Sequence, residues 1–581
     1  MATSRTLAAL GTLFALAACG GGGGGGGSTP PPPPASSSDA VLSVSLAGGA
    51  TPGIDHLWVT VTGVAMHADA TRVYGDGDAG WVVQTLATPI TVDLSDASLA
   101  NGSSVSLIKH SVPTLGNYAQ LRLLLASSDP ALTPLASATA KGLLFNEQVQ
   151  YTDTAGTQQI VPLEVPNGQG GLRLLTPFNL SADTTTPLSI EWSPEQSLVR
   201  RAATSGGADR FTLRNELQLY NQTLLTALSD GNLTIDGSIF DSISGQLDTT
   251  QFCTGASHAG CIHDVVATAT SLSADGRFHA EARTVSVAAD GSFELYPLPS
   301  QSAYDVVIHG GNMETIVVHG VFVDPTGILR PAPTALSSKA TPLVPVLNTG
   351  ERAVDVADAL APASSRVFFG QTVAGSGGSA GDVPYAIVAG NADPATGRLL
   401  RTVTLPGGPL HYASFNTATD GNGTPPAFAT VTPVEGAGAF SAWSQGTLAT
   451  STSATATLAA GATSVTAPQP VAAAGFATGT LTVTLSGTSG NGADHAELIV
   501  ANDGGVVSVT DVSSQIASHG GSTTIGVPSG RSTSAPGAAV YAVSLRTWIG
   551  ATEGTSARWA RIGAPVDLST TASAAVNLVL P

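Results

Sequence analysis

Charge is what this chain has least of. Charged residues fill 11% of its 581 positions, against roughly a quarter in an average soluble protein. Lysine occurs only at Lys109, Lys141 and Lys339, and Lys plus Arg total 22 against 41 Asp plus Glu, a formal charge of −19. A nucleic-acid partner held by basic patches is excluded, because counterion release needs clustered cations. Coiled coils and helical solenoids are disfavoured, since both need many long charged helix formers. No apolar run reaches the roughly 20 residues of a membrane-spanning helix. Catalytic signatures are missing too. No His-Glu-x-x-His occurs among the 11 His, and no Gly-Lys-Ser/Thr phosphate loop occurs. Gly377-Gly378-Ser379-Ala380-Gly381 has the letters of a nucleophile elbow, but Asp382-Val383-Pro384 follows where a helix is required, so a loop is expected. Asp76-Gly77-Asp78 and Asp420-Gly421-Asn422-Gly423 put oxygens in turns without the twelve-residue calcium loop. They read as hairpin turns. No catalytic residue, no metal ligand and no cofactor is therefore expected.

What is present begins at the N-terminus. Arg5 precedes an apolar stretch from Leu7 to Ala17, the length of a signal-peptide core. The stretch ends in Leu16-Ala17-Ala18-Cys19. Small residues before the cut and a thiol at it resemble the bacterial lipobox, as against an ordinary secretory signal with a chance Cys. The resemblance implies that residues 1–18 are a removed signal peptide and that Cys19 carries lipid. Residue 20 is Gly rather than Asp, which in lipoproteins of Gram-negative bacteria implies the outer membrane, with the periplasmic or surface face open. Gly20 to Gly27 and Pro30 to Pro34 then form a disordered Gly/Pro tether over 19–39, flexible first and stiffer after.

The remaining thiols are Cys253 and Cys261, in one loop-like stretch that also holds His258, with His263 just beyond. A disulfide is favoured in an oxidising compartment. The alternative is a zinc site of both thiols and both imidazoles, although the spacing matches no known zinc motif.

Strand patterns dominate the body. Leu57, Val59 and Val61 alternate with Trp58, Thr60 and Thr62; Leu121 and Leu123 with Gln120 and Arg122; Leu481, Val483 and Leu485 with Thr480, Thr482 and Thr484; Tyr541, Val543 and Leu545 with Ala542, Ser544 and Arg546. Val576, Leu578 and Leu580 share one face. Period two with Gly, Asn and Asp punctuation predicts half-buried antiparallel strands. Only Ser193-Pro194-Glu195-Gln196 and Leu224 to Leu228 suggest helix, each short. The fold class expected is all-β, a row of tandem antiparallel β-sandwich modules.

Three parts follow the tether. In residues 40–222, Val41 to Leu46, Ile54 to Val61, Gly116 to Leu123, Val165 to Gly168, Ser197 to Val199 and Arg210 to Arg214 occur in an order that resembles a lipoprotein-associated domain of unknown function. Gly49-Ala50-Thr51-Pro52 and Ile190-Glu191-Trp192 depart from its acidic positions, so no role passes to them. In residues 233–331, Ile235 to Leu247 reads as a first strand, Asp290-Gly291 as a hairpin turn, and Phe293 and Leu295 as inward-facing, with Pro297 to Pro299 and Tyr304 following. This resembles the carboxypeptidase regulatory-like, transthyretin-type β-sandwich, which implies a spacer or binding module. Residues 332–581 form a β-rich region, read as two units split near the Thr/Ala/Ser-rich stretch 447–470.

The expected function is that of a non-enzymatic, lipid-anchored cell-envelope protein, acting as a binding, adhesion or structural module. Its partners are then the membrane, through the lipid on Cys19, and a glycan or an envelope protein. Carbohydrate binding requires exposed aromatics among Trp58, Trp81, Trp192, Trp443, Trp548 and Trp559, for which the core is the favoured place. An all-β hydrolase requires acids or His converging from distant strands. His309 and His319 are candidates to face each other across a sheet.

Overall fold

Alternation becomes sheet where each apolar face finds another. In the computed structural model this happens three times. The structure describes residues 39–580 apart from short internal segments, the longest being 222–239, 324–333, 468–475 and 447–453.

The first module opens with Ala40–Ala47, which lies between Thr185–Trp192 on one side and Val105–Val112 on the other. A second sheet centred on His56–His67 and Gln120–Leu125 faces it. Leu42, Val44 and Leu46 from one sheet and Leu57, Val59, Val61, Leu121 and Leu123 from the other are all wholly buried in one core, with Trp192. The inward faces are those the alternation picks out. One outward face is not what the sequence suggests. Gln120 and Arg122 are also fully buried, so this strand has no solvent face, for a reason found in the last module.

The middle of the chain is organised by one ten-stranded sheet. It runs in the order Ala429–Val431, Leu410–Ser414, Ile316–Val323, Ser302–Gly311, His263–Leu272, His279–Ser286, Pro384–Asn391, Ser365–Thr372, Phe440–Gly446, Ala456–Leu458. Strands on both sides of residue 331 thus share a sheet, joined where His279 pairs with Tyr385 and where Ile316–His319 run parallel to His411–Ser414. Two three-stranded sheets flank it, built on Phe240–Gln246 and Arg352–Asp358. Phe293 and Leu295 point into the core beside Ile243 and Val306. Asp290-Gly291 is a tight turn, with Gly291 at a φ of 85°, but it is not the hairpin the sequence suggests. Ser292–Pro299 pairs with Phe240–Gln246 while His279–Ser286 pairs with His263–Leu272, so the chain crosses between sheets here. Two adjacent apolar strands can satisfy their inner faces by pairing or by stacking, and the dipeptide is compatible with both. Within the Thr/Ala/Ser-rich stretch, Ala456–Leu458 and Ser464–Ala467 are strands that pair with Phe440–Ala442 and Asp355–Asp358.

The last module starts with Phe476–Ser486, which pairs residue for residue with Gly520–Gly530. Ser573–Val579 lies on its other edge, parallel. His495–Asn502 and Val540–Trp548 lead the opposing sheet. Leu481, Val483, Leu485, Tyr541, Val543, Leu545 and Leu578 make its core. The helices described are single turns, Ala136–Ala140 and Ser513–Ala517. Ser197 N–H donates to the Ser193 carbonyl at 3.1 Å, one turn at the first predicted helix; Pro194–Gln196 and the second, Leu224 to Leu228, lie outside the described residues. No described helix is long and apolar enough to cross a membrane.

Candidate functional site

The site is a loop and the strand it leads into. Cys253 and Cys261, eight residues apart, form a disulfide. The thiols are thereby removed from any four-ligand zinc site. The closed loop is pinned at its base, where Cys253 N–H donates to the Ile262 carbonyl at 2.9 Å. Asn312, buried and at a φ of 55°, donates from its side-chain amide to the carbonyls of His258 and Cys261 at 3.0 and 3.1 Å. These ties bring His258 against His263, ring on ring, with centroids 4.1 Å apart and planes 20° apart.

Asp264 joins them through an irregularity in the strand. Successive residues of a strand point to opposite faces, so His263 and Asp264 should diverge. The pairing of His263–Leu272 with Ser302–Gly311 slips between His263 and Val266, and Asp264 takes a φ of 48°. Such bulges re-aim side chains. Here the Asp264 carboxylate comes 3.0 Å from His263 Nδ1. Gly311 lies opposite His263, and a Cβ there would collide with the imidazole. The three side chains border a cavity of about 360 Å³ whose walls include Phe252, Ile262, Val265 and Val287.

A second polar cluster lies in the ten-stranded sheet. Asp305, buried, accepts from His319 Nδ1 at 2.9 Å and from Gly320 N–H at 2.7 Å, and its other oxygen is 3.2 Å from His279 Nδ1. The His279 ring stacks on the fully buried Tyr385 at 4.2 Å. Burial pushes His279 below the usual imidazole range, against the pull of Asp305. The hydrogen bond to Asp305 raises His319 above it. Burial, with Asp305 nearby, pushes the Tyr385 hydroxyl strongly up. The expected facing of His309 and His319 does not occur. The register sets Val306 opposite Val318 and Tyr304 opposite Val321, which puts His319 level with Asp305, while His309 sits opposite Val266.

Buried charges otherwise join the modules. Arg122 reaches 381 residues along the chain to Asp503, with Nη1–Oδ1 at 2.8 Å, and Arg173 meets the same carboxylate at 3.2 Å. Arg546 lies between Glu164 and Glu497, the latter at 2.8 Å, and Glu497 also takes Arg201 and Arg210. Glu191 pairs with Arg283, and burial pushes its carboxyl up to about 7 against the pull of that guanidinium. Where the family resemblance left Glu191 without a role, the structure gives it a partner in the next module.

The other sequence candidates fall out as follows. Cys19, Ser379, Asp76, Gly421 and Asn422 lie outside the described residues. Gly377 N–H bonds to the Gly381 carbonyl at 2.8 Å in a loop that a strand follows. Asp78 accepts from Gly80 N–H and pairs with Arg72, and the Asp420 carboxylate accepts from Asn416 N–H. Trp192, Trp443 and Trp548 are buried and Trp58, Trp81 and Trp559 partly so; no Trp lies on an exposed platform. Sequence reasoning missed Asp264, because period two assigns it to the face away from His263.

No curated protein matches the chain. Among solved structures, the Bacillus anthracis TIE protein aligns at 8% identity over 93% of this chain and 74% of its own, with a TM-score of 0.14. A Streptococcal ancillary pilin aligns at 10% identity over 59% of this chain and 99% of its own, with a TM-score of 0.11. Neither score marks a shared fold. The family comparison is firmer: residues 40–214, the whole of the first sandwich up to Arg214, match the family described as "Domain of unknown function (DUF4382)".

Proposed function

We propose that this chain is a lipid-anchored protein of the bacterial outer membrane whose β modules bind or space partners without catalysing a reaction. The observation that carries the reading is Leu16-Ala17-Ala18-Cys19 followed at once by a Gly/Pro tether. A lone acyl chain holds a protein marginally and two or more hold it stably, so a Cys bearing several chains suffices as the anchor. The Cys253–Cys261 disulfide supports a compartment outside the reducing cytosol. The buried ion pairs between modules support a rigid body presented as one piece. Its partner is an envelope protein or a glycan.

The test is metabolic labelling with radioactive palmitate in a Gram-negative host. The wild-type chain takes up label and fractionates with the outer membrane. Cys19→Ala loses all label and appears in the soluble periplasmic fraction. If Cys19→Ala remains with outer-membrane vesicles after a salt wash, lipid is not the anchor and the reading falls.

A further inference from the structure

We infer that His258, His263 and Asp264 form a binding site for one zinc-class divalent transition ion. The site is new relative to the sequence, where the only metal reading used the two thiols. It does not rest on the lipid anchor.

The donor set comes first. One ligand atom from each residue lies within 4.8 Å of the others. Two imidazoles and a carboxylate suit zinc and its neighbours, whereas calcium and magnesium take oxygen donors. Three protein ligands leave a coordination position open, which is how zinc sites that exchange a ligand are built. The cavity beside the donors has room for that ligand.

Preorganisation is the second argument, and it is independent of the first. Two imidazoles stacked at 4.1 Å repel when both are protonated, and nothing in a simple surface loop would hold them there. Four features do so: the disulfide, the Asn312 clamp on the His258 carbonyl, the left-handed Asp264 and the missing Cβ at Gly311. Asn312 and Asp264 are two of the few non-Gly residues with positive φ among those described. Backbone of that kind is strained for residues other than glycine and clusters at functional sites. The disulfide also fixes the chemistry, because oxidised cysteines leave nitrogen and oxygen as the donors.

The experiment is isothermal titration of ZnCl2 into the full-length, detergent-solubilised chain, free of any His tag and oxidised. One saturable equivalent per chain is expected, with no competition from calcium. His258→Ala and Asp264→Asn should each weaken binding at least about tenfold, while His110→Ala and Cys19→Ala bind as the wild type does. His258 is exposed in its loop, so His258→Ala should melt with the parent and its loss of binding cannot be charged to unfolding. The inference is overturned if no saturable equivalent binds, or if His258→Ala binds zinc as tightly as the parent.

Discussion

Asp503→Ala should cost about 3–5 kcal/mol of stability, the largest penalty expected of any single change between modules. Arg122 is fully buried and Arg173 nearly so, and Asp503 is the carboxylate that both contact. Arg122 has other acceptors, Gln120 Oε1 at 3.0 Å and the carbonyls of Gly170 and Arg72, but these are dipoles. Removing the anion leaves two cations in a buried seam, and that residual charge, more than the lost attraction, sets the cost. Urea unfolding followed by tryptophan fluorescence measures it. The triple change Arg122→Met, Arg173→Met and Asp503→Leu should recover a good part of the loss, as replacing a whole buried ionic group often does. A loss under about 1 kcal/mol for Asp503→Ala would mean the seam is wet and the pair behaves like a surface one. The pair also has a pH signature. Burial alone would raise the Asp503 carboxyl, yet Arg122 and Arg173 outweigh it and hold it below the usual range. A lowered carboxylate contributes stability that is full above its unfolded pKa, about 3.9, and is lost as pH falls through the folded value. Asp503→Ala should therefore flatten the acid limb of the stability profile.

Trp443→Ala should be comparably damaging, about 3–5 kcal/mol, and for a different reason. The indole is 1% exposed and lies on Phe440–Gly446, one strand in from the edge of the ten-stranded sheet. It stacks on Phe368 at 5.6 Å, with planes 9° apart, and meets Phe278 at 5.3 Å. Its outer ring covers Gly370, where a Cβ would collide with both the indole and the Tyr385 carbonyl. Truncation opens a void under three strands that the surrounding β backbone cannot collapse to fill. Trp443→Phe should cost far less, since the indole N–H is buried without an acceptor and its removal strands nothing. Thermal unfolding of the two variants side by side checks the argument. Equal losses would show that the indole's size is not what fills the site.

How much of this could be read from the chain follows the range of the interactions. Leu57, Val59 and Val61, or Leu481, Val483 and Leu485, declare their inner faces because period two is local. Gln120 and Arg122 were legible as a polar face and not as a buried one, because the carboxylate that buries Arg122 is 381 residues away. Asp290-Gly291 identifies a turn but not its partners, and the strands on either side go to different sheets. Of the candidate site, the disulfide and the nearness of His258 to His263 were in the spacing. Asp264 was not, since a bulge reverses the parity of every residue beyond it.

The first strand of the body is hydrogen-bonded along both edges, parallel to Thr185–Trp192 and antiparallel to Val105–Val112, while Ser573–Val579 has a partner on one edge only among the described residues. The first and last described strands therefore answer differently to a pulling force between them. Tension along Ala40–Ala47 from residue 39 must shear two ladders together. The terminal strand has one ladder to lose. Survival under load is governed by the unfolding rate rather than by equilibrium stability, and on that measure the end nearest Cys19 is the stronger. A body stretched between the two strands would shed its last described strand before it gave up its first.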